Sequence, residues 1–188
     1  MDYTAAFDIG TTAVKGVLMD NGLFVLAEKS LAIVTYYEAG RVEQEPQSWY
    51  DAFCTICRGF EAQLPADGTI TAVVMSGQMQ DTIVLDARLE AVGRAILYAD
   101  SRAQRQAEAL NKRLGQTAMT AVTGNILDAS LPFAQLLWLK EEEPKRYERF
   151  AHVVFSATDY IIARLTGEAV TDLTTEATVR LLDITRQC

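Results

Sequence analysis

The chain has 188 residues, of which 49% are hydrophobic and 22% are charged, and its net charge is −8. This composition is typical of a globular domain with a sizeable core and excludes a disordered or fibrous protein. The negative charge argues against binding to nucleic acid, which needs clustered Lys and Arg. No apolar run is long enough to span a membrane, and residues 1–4 lack the basic region of a signal peptide. We therefore expect a cytoplasmic protein that does not bind membranes.

The first third of the chain is predicted to form β-strands. Apolar and polar residues alternate over residues 3–9, which is typical of a strand, and a second strand is expected at 14–19. Asp20-Asn21-Gly22 is a hairpin signal, and a long β-rich run follows at 23–36. The pattern therefore predicts three consecutive antiparallel strands.

An amphipathic helix is predicted to follow these strands. Ser48 is placed to cap its N-terminus, and its apolar residues keep helical spacing until about Leu64. Cys54 and Cys57 lie inside this helix, where the apolar neighbours indicate core thiols rather than redox or metal chemistry. Because His152 is the only histidine, a structural zinc site lacks a ligand set.

The remaining predicted elements alternate between strands and helices. They are a buried parallel strand at 70–75, helices at 103–114 and 131–142, a buried strand at 153–155, and a final helix that begins at Ser156 and is closed by Gly167. Gly115 is the expected C-terminal cap of the first of these helices, and Ser156 with Asp159 forms a capping-box-like start for the last. Strands followed by helix, strand, helix and strand predict an α/β domain.

The most informative segment is the turn between the first two predicted strands. Asp8 ends a predicted buried strand, and Gly10, Thr11 and Thr12 follow, with Lys15 slightly further along. A carboxylate can hold hydrated Mg²⁺, while the backbone N–H groups of a glycine turn can face phosphate oxygens. Phosphoryl transfer needs mainly positioning and charge compensation, which these residues supply. A plain hairpin turn with local hydrogen bonds from Asp8 and Thr11 remains the alternative.

Several segments, taken together with this turn, resemble the N-terminal region of the FGGY carbohydrate kinases. Each segment alone is a weak signal, but their order and spacing are specific and they span nearly the whole chain. The turn itself carries neither a Walker A sequence nor a dinucleotide-binding glycine pattern. The segments are residues 7–15, 40–46, 75–80, 136–140, 143–144, 158–168, 171–172 and 181–183.

The resemblance implies an α/β fold of the ribonuclease-H-like type found in actin and hexokinase. Its mixed sheet would start from three antiparallel strands and be flanked by helices, with ATP and a sugar bound in a cleft between two such domains. Asp8 would then lie near Mg²⁺, bound through water, and Gly10, Thr11 and Thr12 would face the β- and γ-phosphates. Lys15 either extends toward the phosphates or remains a solvated hairpin residue.

The segment that ends at Gln80 resembles the sugar-binding turn of this family. Gln78, Met79 and Gln80 would then bind the substrate. Close members usually carry His at the last of these positions, and an amide can bond sugar hydroxyls but cannot become cationic. This departure leaves the identity of the sugar open. Core packing is the alternative role of Met79.

Asp100 and Arg102 resemble an Asp-x-Arg segment that lies at the sugar pocket in related kinases. An Asp held by a neighbouring Arg can accept hydrogen bonds from two hydroxyls. The alternative is that Asp100 caps the helix that follows. Gln135 stands where many members have Lys, which is a second departure. Trp138 and Tyr160 are expected to be core residues.

The resemblance also implies a general base that this sequence lacks. In the family the base is an Asp in a Gly-Asp-Gln-like segment beyond the aligned region, and no such tripeptide occurs here. We therefore expect residues 1–188 to be a truncated N-terminal sugar-binding domain that is inactive alone. The complete protein would transfer phosphate from ATP to a small sugar or polyol, preferably a ketopentose such as xylulose.

Other functions remain open at this point. Gluconate, glycerol or a hexulose could replace the ketopentose as substrate. A natural short protein that binds a sugar or nucleotide without turnover, or that serves as an interaction domain, is an alternative of a different class. A homodimer of the full-length protein is compatible with the resemblance.

Overall fold

The computed structural model describes residues 1–124, 128–179, 181 and 183. Leu182, which belongs to the last predicted family segment, lies outside the described residues. The strands are β1 (Asp2–Ile9), β2 (Ala13–Asp20), β3 (Val25–Ala32), β4 (Thr35–Glu38), β5 (Arg41–Gln44), β6 (Thr69–Gly77), β7 (Met79–Leu85), β8 (Ala95–Ile96) and β9 (His152–Ser156). The helices are α1 (Pro46–Glu61), α2 (Gln104–Leu114), α3 (Gln116–Thr123), α4 (Pro132–Glu142), α5 (Pro144–Tyr147), α6 (Ala157–Thr166) and α7 (Leu173–Thr178).

The strands form two sheets. The four-stranded sheet has the order β3-β2-β1-β6, and the five-stranded sheet has the order β4-β5-β8-β7-β9. The first three strands pair antiparallel, as predicted, while β6 runs parallel to β1. The described pairings of the second sheet are antiparallel. A mixed sheet flanked by helices confirms the predicted α/β class.

The turn between β2 and β3 follows the predicted hairpin signal. The Asp20 side chain accepts hydrogen bonds from the backbone N–H groups of Gly22 and Phe24, at 2.8 and 3.0 Å. The β-rich run predicted at 23–36 is not continuous, however, because the chain leaves the first sheet after Ala32 and begins β4 of the second sheet at Thr35. Local periodicity detects a strand but does not assign it to a sheet.

Helix α1 packs one apolar face against the first sheet. Its buried residues include Trp49, Phe53, Ile56 and Phe60, and the Phe53 ring lies 4.6 Å from the ring of Phe7 on β1. The spacing of these residues matches the period of a helix, so burial of this face stabilises α1.

The predicted start of α1 was wrong. The helix begins at Pro46 with Glu45 as its N-cap, and the Ser48 hydroxyl donates to the Glu45 carbonyl at 2.7 Å instead of capping the helix. Proline is favoured in the first turn because its missing N–H would be unsatisfied there. The helix ends at Glu61, before the predicted Leu64.

Strand β6 was predicted to be buried, and this was also wrong. Val73 and Val74 are 46% and 53% exposed. Successive side chains of a strand point to opposite faces of the sheet, and at this edge strand the described residues leave both faces largely uncovered. An apolar run of this length therefore predicted the strand and its parallel pairing but not its burial.

The caps of the later helices follow the predictions closely. The Ser156 hydroxyl accepts a hydrogen bond from the N–H of Asp159 at 3.0 Å. Gly115 and Gly167 end α2 and α6 with φ values of +80° and +78°, which glycine adopts without strain. The proposed capping of α2 by Asp100 was wrong, because the N-cap of that helix is Ala103.

Cys54 and Cys57 pack against the core, and Trp138 and Tyr160 are core residues, as predicted. Cys54 and Cys57 are free thiols packed against the core, and burial raises the pKa of Cys57 to about 11. Such a thiol stays protonated and is a poor nucleophile or ligand. Tyr160 is fully buried and meets the Trp49 ring edge-on at 6.2 Å, and Trp138 is buried in a second apolar cluster. Within the described residues, no helix has the length and apolar character to cross a membrane.

Candidate active site

Parallel pairing of β1 with β6 places the phosphate turn, residues 8–12, beside the sugar turn, residues 76–80. The register sets Asp8 opposite Ser76 at the ends of the two strands. Because the carboxyl ends of parallel strands meet at the same edge of a sheet, both turns lie at one edge. Two segments far apart in the sequence therefore form one candidate site.

Gly77 and Gln78 hold the two turns in direct contact. The backbone N–H of Gln78 donates to the Ile9 carbonyl at 2.9 Å. A Cβ atom built on Gly77 would lie 2.8 Å from that carbonyl oxygen, which is closer than real Cβ atoms approach. The contact between the turns therefore requires glycine at position 77.

Backbone hydrogen bonds fix the shape of the phosphate turn. The N–H of Gly10 donates to the Ala13 carbonyl at 3.0 Å, and the Thr12 carbonyl accepts from the N–H of Ile33 at 2.9 Å. Among the described residues, the N–H groups of Thr11 and Thr12 have no backbone acceptor. Consecutive unpaired N–H groups in a turn can bind an anion such as a phosphate oxygen.

Asp8 and Lys15 lie side by side on the exposed face of the first sheet. Asp8 is the register partner of Lys15 on β2 and of Ser76 on β6, and such partners point to the same face. Phe7 and Ile9 point to the other face and are buried. A carboxylate and an ammonium group therefore flank the phosphate turn on its open side, which leaves both alternatives for Lys15 open.

The residues of the phosphate turn fit a hydrated Mg²⁺ ion. A Cβ atom on Gly10 would lie 3.3 Å from the Ala13 carbonyl oxygen, which is a tight contact, and would touch the Asp8 carboxylate at 3.7 Å, so glycine leaves the space beside that carboxylate open. Mg²⁺ usually keeps several waters and takes one or two carboxylates together with substrate phosphates. The described residues contain no group of three or more metal-binding side chains. A single carboxylate beside free backbone donors suits an ion carried in with a nucleotide.

The last three side chains of the sugar turn are buried or half-buried, whereas Ser76 is exposed. Gln78 is 8% exposed, while Met79 and Gln80 are half-buried. Met79 begins β7 as the register partner of Ser156 on β9. Gln80 has a φ of +67°, a left-handed conformation that L residues rarely adopt and that is often found at functional sites.

Asp81, directly after the sugar turn, is a buried carboxyl group whose burial the sequence did not predict. Its Oδ1 accepts a hydrogen bond from the N–H of Tyr98 at 3.2 Å, and its Oδ2 has no partner among the described residues. Burial raises the pKa of Asp81 well above its usual value, because a charged carboxylate is poorly solvated in the interior. No sequence pattern marks a carboxyl group as buried when it lies between polar neighbours.

Gln44 links the two turns and was also missed. Its Nε2 donates to the Thr11 carbonyl at 2.6 Å and to the Thr35 hydroxyl at 2.7 Å. Its Oε1 accepts from Trp49 Nε1 at 2.9 Å and from Gln78 Nε2 at 2.8 Å. Gln44 lies within the segment at 40–46 that resembles the family, and this resemblance was the only sequence feature that could have indicated its role.

Asp100 and Arg102 form a buried ion pair. The Arg102 Nε donates to Asp100 Oδ1 at 2.9 Å, and its Nη2 donates to Asp100 Oδ2 at 2.7 Å and to Glu43 at 2.7 Å. Asp100 Oδ2 also accepts from the N–H of Val42 at 2.6 Å. The Asp100 side chain is fully buried and that of Arg102 is 3% exposed. Both carboxylate oxygens are thus engaged within the protein, and the role of this pair at a sugar pocket stays a prediction.

Gln135, the second departure from the family, is tied to strand β7. Its Oε1 accepts from the Thr82 hydroxyl at 2.6 Å, and its Nε2 donates to the Ser130 carbonyl at 3.1 Å. The neutral amide can satisfy a donor and an acceptor at once. It therefore fixes helix α4 against the strand that follows the sugar turn.

These groups place backbone donors that can bind an anion beside side chains that can bind a polar ligand. The phosphate turn offers backbone donors and an exposed carboxylate, and the sugar turn offers amide groups that can bond hydroxyls. The fold and site thus define an α/β protein that can hold a phosphate chain beside a polar small molecule. The chain belongs to the FGGY family of carbohydrate kinases: residues 3–187 match the model of that family's N-terminal domain.

Individual relatives agree with this assignment. A xylulose kinase from Lactococcus lactis is 31% identical over 189 residues, which cover 100% of this chain and 37% of the relative. A ligand-bound xylulose kinase structure from Lactobacillus acidophilus superimposes with a TM-score of 0.90 at 29% identity, covering 100% of this chain and 38% of that one. A gluconate kinase structure from the same organism gives a TM-score of 0.87 at 30% identity, with coverages of 97% and 37%. The chain therefore spans little more than a third of these relatives' length. The superpositions confirm the predicted fold.

Proposed function

We propose that this chain is the N-terminal, sugar-binding part of an ATP-dependent carbohydrate kinase. The observation that carries the proposal is the register of β1 with β6, which sets Asp8 beside Ser76 and so joins an anion-binding turn to a polar ligand turn. Residues 1–188 would be a truncated domain, with the adenosine site and the general base supplied by a further part of the natural protein.

In phosphoryl transfer the protein mainly positions the reactants and compensates charge, and it takes little part in covalent chemistry. In the proposed site, the N–H groups of Thr11 and Thr12 bond the β- and γ-phosphate oxygens of ATP. Asp8 would hold a hydrated Mg²⁺ ion, which would compensate part of the phosphate charge. Gln80 donates to and accepts from hydroxyls of the sugar, and this fixes the acceptor hydroxyl near the γ-phosphate.

A ketopentose such as xylulose is the proposed substrate, because the relatives with 31% and 29% identity are xylulose kinases. Gluconate is the leading alternative substrate, since a gluconate kinase is 30% identical. Glycerol and hexuloses are further alternatives. Gln80 bears on this choice because an amide binds neutral hydroxyls and carries no charge to pair with an acid. We further propose a cytoplasmic location, without nucleic acid or membrane as partner.

The test is ADP formation by the natural protein that contains this chain. Purified protein would be assayed with ATP, Mg²⁺ and a panel of ketopentoses, hexuloses, gluconate and glycerol. We expect turnover with a ketopentose, abolished by chelation of Mg²⁺, and no sugar-dependent ADP formation by residues 1–188 alone. Absence of turnover with every compound in the panel would reject the proposed function.

A further inference from the structure

The buried Gln44 side chain has hydrogen-bond partners in both turns of the candidate site. Through Nε2 it contacts the Thr11 carbonyl of the phosphate turn, and through Oε1 it contacts Gln78 of the sugar turn. The residue is fully buried. A buried amide with partners in two functional segments can fix their relative position, provided that its orientation is determined.

The chemistry of the partners determines the orientation of the Gln44 amide. Trp49 Nε1 can only donate, so the atom 2.9 Å from it must be the amide oxygen. The Thr11 carbonyl can only accept, so the atom 2.6 Å from it must be the amide nitrogen. With Thr35 and Gln78 as further partners, both N–H donors and two acceptor positions of the amide are used. A flipped amide would lose these bonds, because its NH₂ group would face the Trp49 N–H and its oxygen would face the Thr11 carbonyl oxygen.

This orientation has a consequence for the phosphate turn. The Thr11 carbonyl and the Thr12 N–H belong to the same peptide unit, and the described chain contains no cis peptide bond. In a planar trans peptide the C=O and N–H bonds point in opposite directions. By bonding the Thr11 carbonyl, Gln44 therefore directs the Thr12 N–H away from itself, and this N–H has no backbone acceptor among the described residues.

The same amide also fixes the start of the sugar turn. Because Gln78 Nε2 donates to Gln44 Oε1 at 2.8 Å, the Gln78 side chain is held with its other polar atom, Oε1, away from Gln44. That oxygen is buried and has no partner among the described residues. Gln78 and the next two residues, Met79 and Gln80, are the residues of this turn that are predicted to bind the sugar.

We propose that Gln44 is a positioning residue that sets the phosphate turn and the sugar turn relative to each other. The inference rests on the proposed function, since it assigns the two turns to the two substrates of one transfer. Alignment of two bound reactants contributes to the rate of their reaction more than to the affinity for either one. Loss of Gln44 should therefore lower kcat and, because it also releases the Thr11–Thr12 peptide unit of the phosphate turn, weaken binding of MgATP more than binding of the sugar.

The first test uses Gln44→Met in the natural protein, which keeps the volume and removes the hydrogen bonds. Trp49→Phe is the matched control, because it removes one donor to Gln44 while leaving the bonds to Thr11 and Gln78. At a temperature where both variants are folded by circular dichroism, we expect kcat to fall at least about tenfold for Gln44→Met and less than about threefold for Trp49→Phe. Equal losses in the two variants, or an unchanged kcat for Gln44→Met, would overturn the proposal.

A second variant covers the case in which Gln44→Met does not fold. Gln44→Glu keeps the size and the acceptor toward Trp49 and Gln78, but at alkaline pH it has no donor for the Thr11 carbonyl. Calorimetry with MgATP alone should show affinity weakened by about tenfold, with sugar affinity changed less than about threefold. Unaltered MgATP affinity would overturn the proposal. This readout needs no turnover, so it decides the role of Gln44 even if wild-type protein phosphorylates none of the sugars.

Discussion

The phosphate turn consists of backbone groups beside an exposed carboxylate, whereas the sugar turn has buried or half-buried side chains at positions 78–80. Asp8 lies open on one face of the first sheet, and the glycine at position 10 keeps side-chain atoms away from it. Gln78 and Asp81, in contrast, are enclosed by the second sheet and its neighbours. The two turns nevertheless share one edge of the fold.

This difference matches what each proposed ligand requires. A phosphate chain with Mg²⁺ carries much charge and enters with its own water, so an open turn with fixed N–H groups suffices. A neutral polyol is recognised only by hydrogen bonds whose directions are set in advance, and such bonds discriminate best where unpaired groups are costly. Substitutions in the two turns should therefore have different kinetic signatures.

The largest effect is expected from Asp8→Ala. In the natural protein this change should lower kcat by between about tenfold and 10³-fold, because charge compensation is lost in the transition state. The melting temperature should hardly change, since the Asp8 side chain is exposed. Steady-state kinetics with saturating sugar gives the measurement. Unchanged turnover would remove Asp8 from the phosphate site and favour the plain hairpin turn.

Gln80→Ala should affect the other substrate. Loss of the amide should raise the KM for the sugar by an amount equivalent to about 1–3 kcal/mol, while the KM for ATP stays nearly constant. Gln80→Gly is the control, because glycine adopts the φ of +67° freely. It should show the same rise in sugar KM with a higher melting temperature than Gln80→Ala. A rise in both KM values together would indicate that Gln80 supports the fold and does not bind the sugar.

Gly77→Ala tests the contact between the turns. The added Cβ would clash with the Ile9 carbonyl at 2.8 Å, and overpacking of this kind costs about 1–3 kcal/mol. We expect a lower melting temperature and a loss of activity toward both substrates. Gly59→Ala in helix α1 is the comparison, because its Cβ would meet only the flexible Lys29 side chain at 3.5 Å, and alanine is favoured in a helix. If both variants gained stability, the two turns would not be in the close contact described above.

The fold was largely predictable because its signals are local. Alternation over residues 3–9, the hairpin at Asp20-Asn21-Gly22 and the caps at Gly115 and Gly167 each depend on a few neighbouring residues. The errors arose where tertiary structure decides. The run at 23–36 is divided between two sheets, and β6 lies at an edge although its sequence is that of a buried strand.

The candidate site was predictable to a smaller extent. The phosphate turn is a short continuous segment, so its residues could be read together. Gln44 and Asp81 act through partners distant in sequence, with Gln44 bonded to Gln78, 34 residues away, and Asp81 to Tyr98, 17 residues away. No periodicity marks a polar residue for such a contact. Asp100 was predicted to be held by Arg102, and the structure shows this ion pair, but the burial of both side chains was not predicted.

The smallest effect on activity is expected from Asp81→Asn, which tests whether the environment next to the sugar turn is as apolar as its burial implies. Burial raises the pKa of Asp81 above its ordinary value of 3.8. The unfolded chain titrates at the ordinary pKa and the folded protein at the raised pKa. Between these two values the folded protein keeps a proton that the unfolded chain has lost. The free energy of unfolding should therefore fall as pH rises through this interval and level off above the raised pKa. Asparagine does not titrate, so the variant should lack this decline and be more stable than wild type at neutral pH.

Melting temperatures of the natural protein, measured across a pH series, give the comparison, with Asp86→Asn as the control of opposite sign. Asp86 is exposed, and hydrogen bonds from the N–H groups of Arg88 and Glu90 lower its pKa. Asp86 therefore contributes to the free energy of unfolding above the ordinary pKa of an Asp, and this contribution is lost as pH falls through the lowered pKa. The difference in melting temperature between wild type and Asp81→Asn should grow with rising pH. The corresponding difference between wild type and Asp86→Asn should change only at acidic pH. A pH dependence of Asp81→Asn identical to that of wild type would mean that Asp81 is solvated, and the sugar turn would then be as open as the phosphate turn.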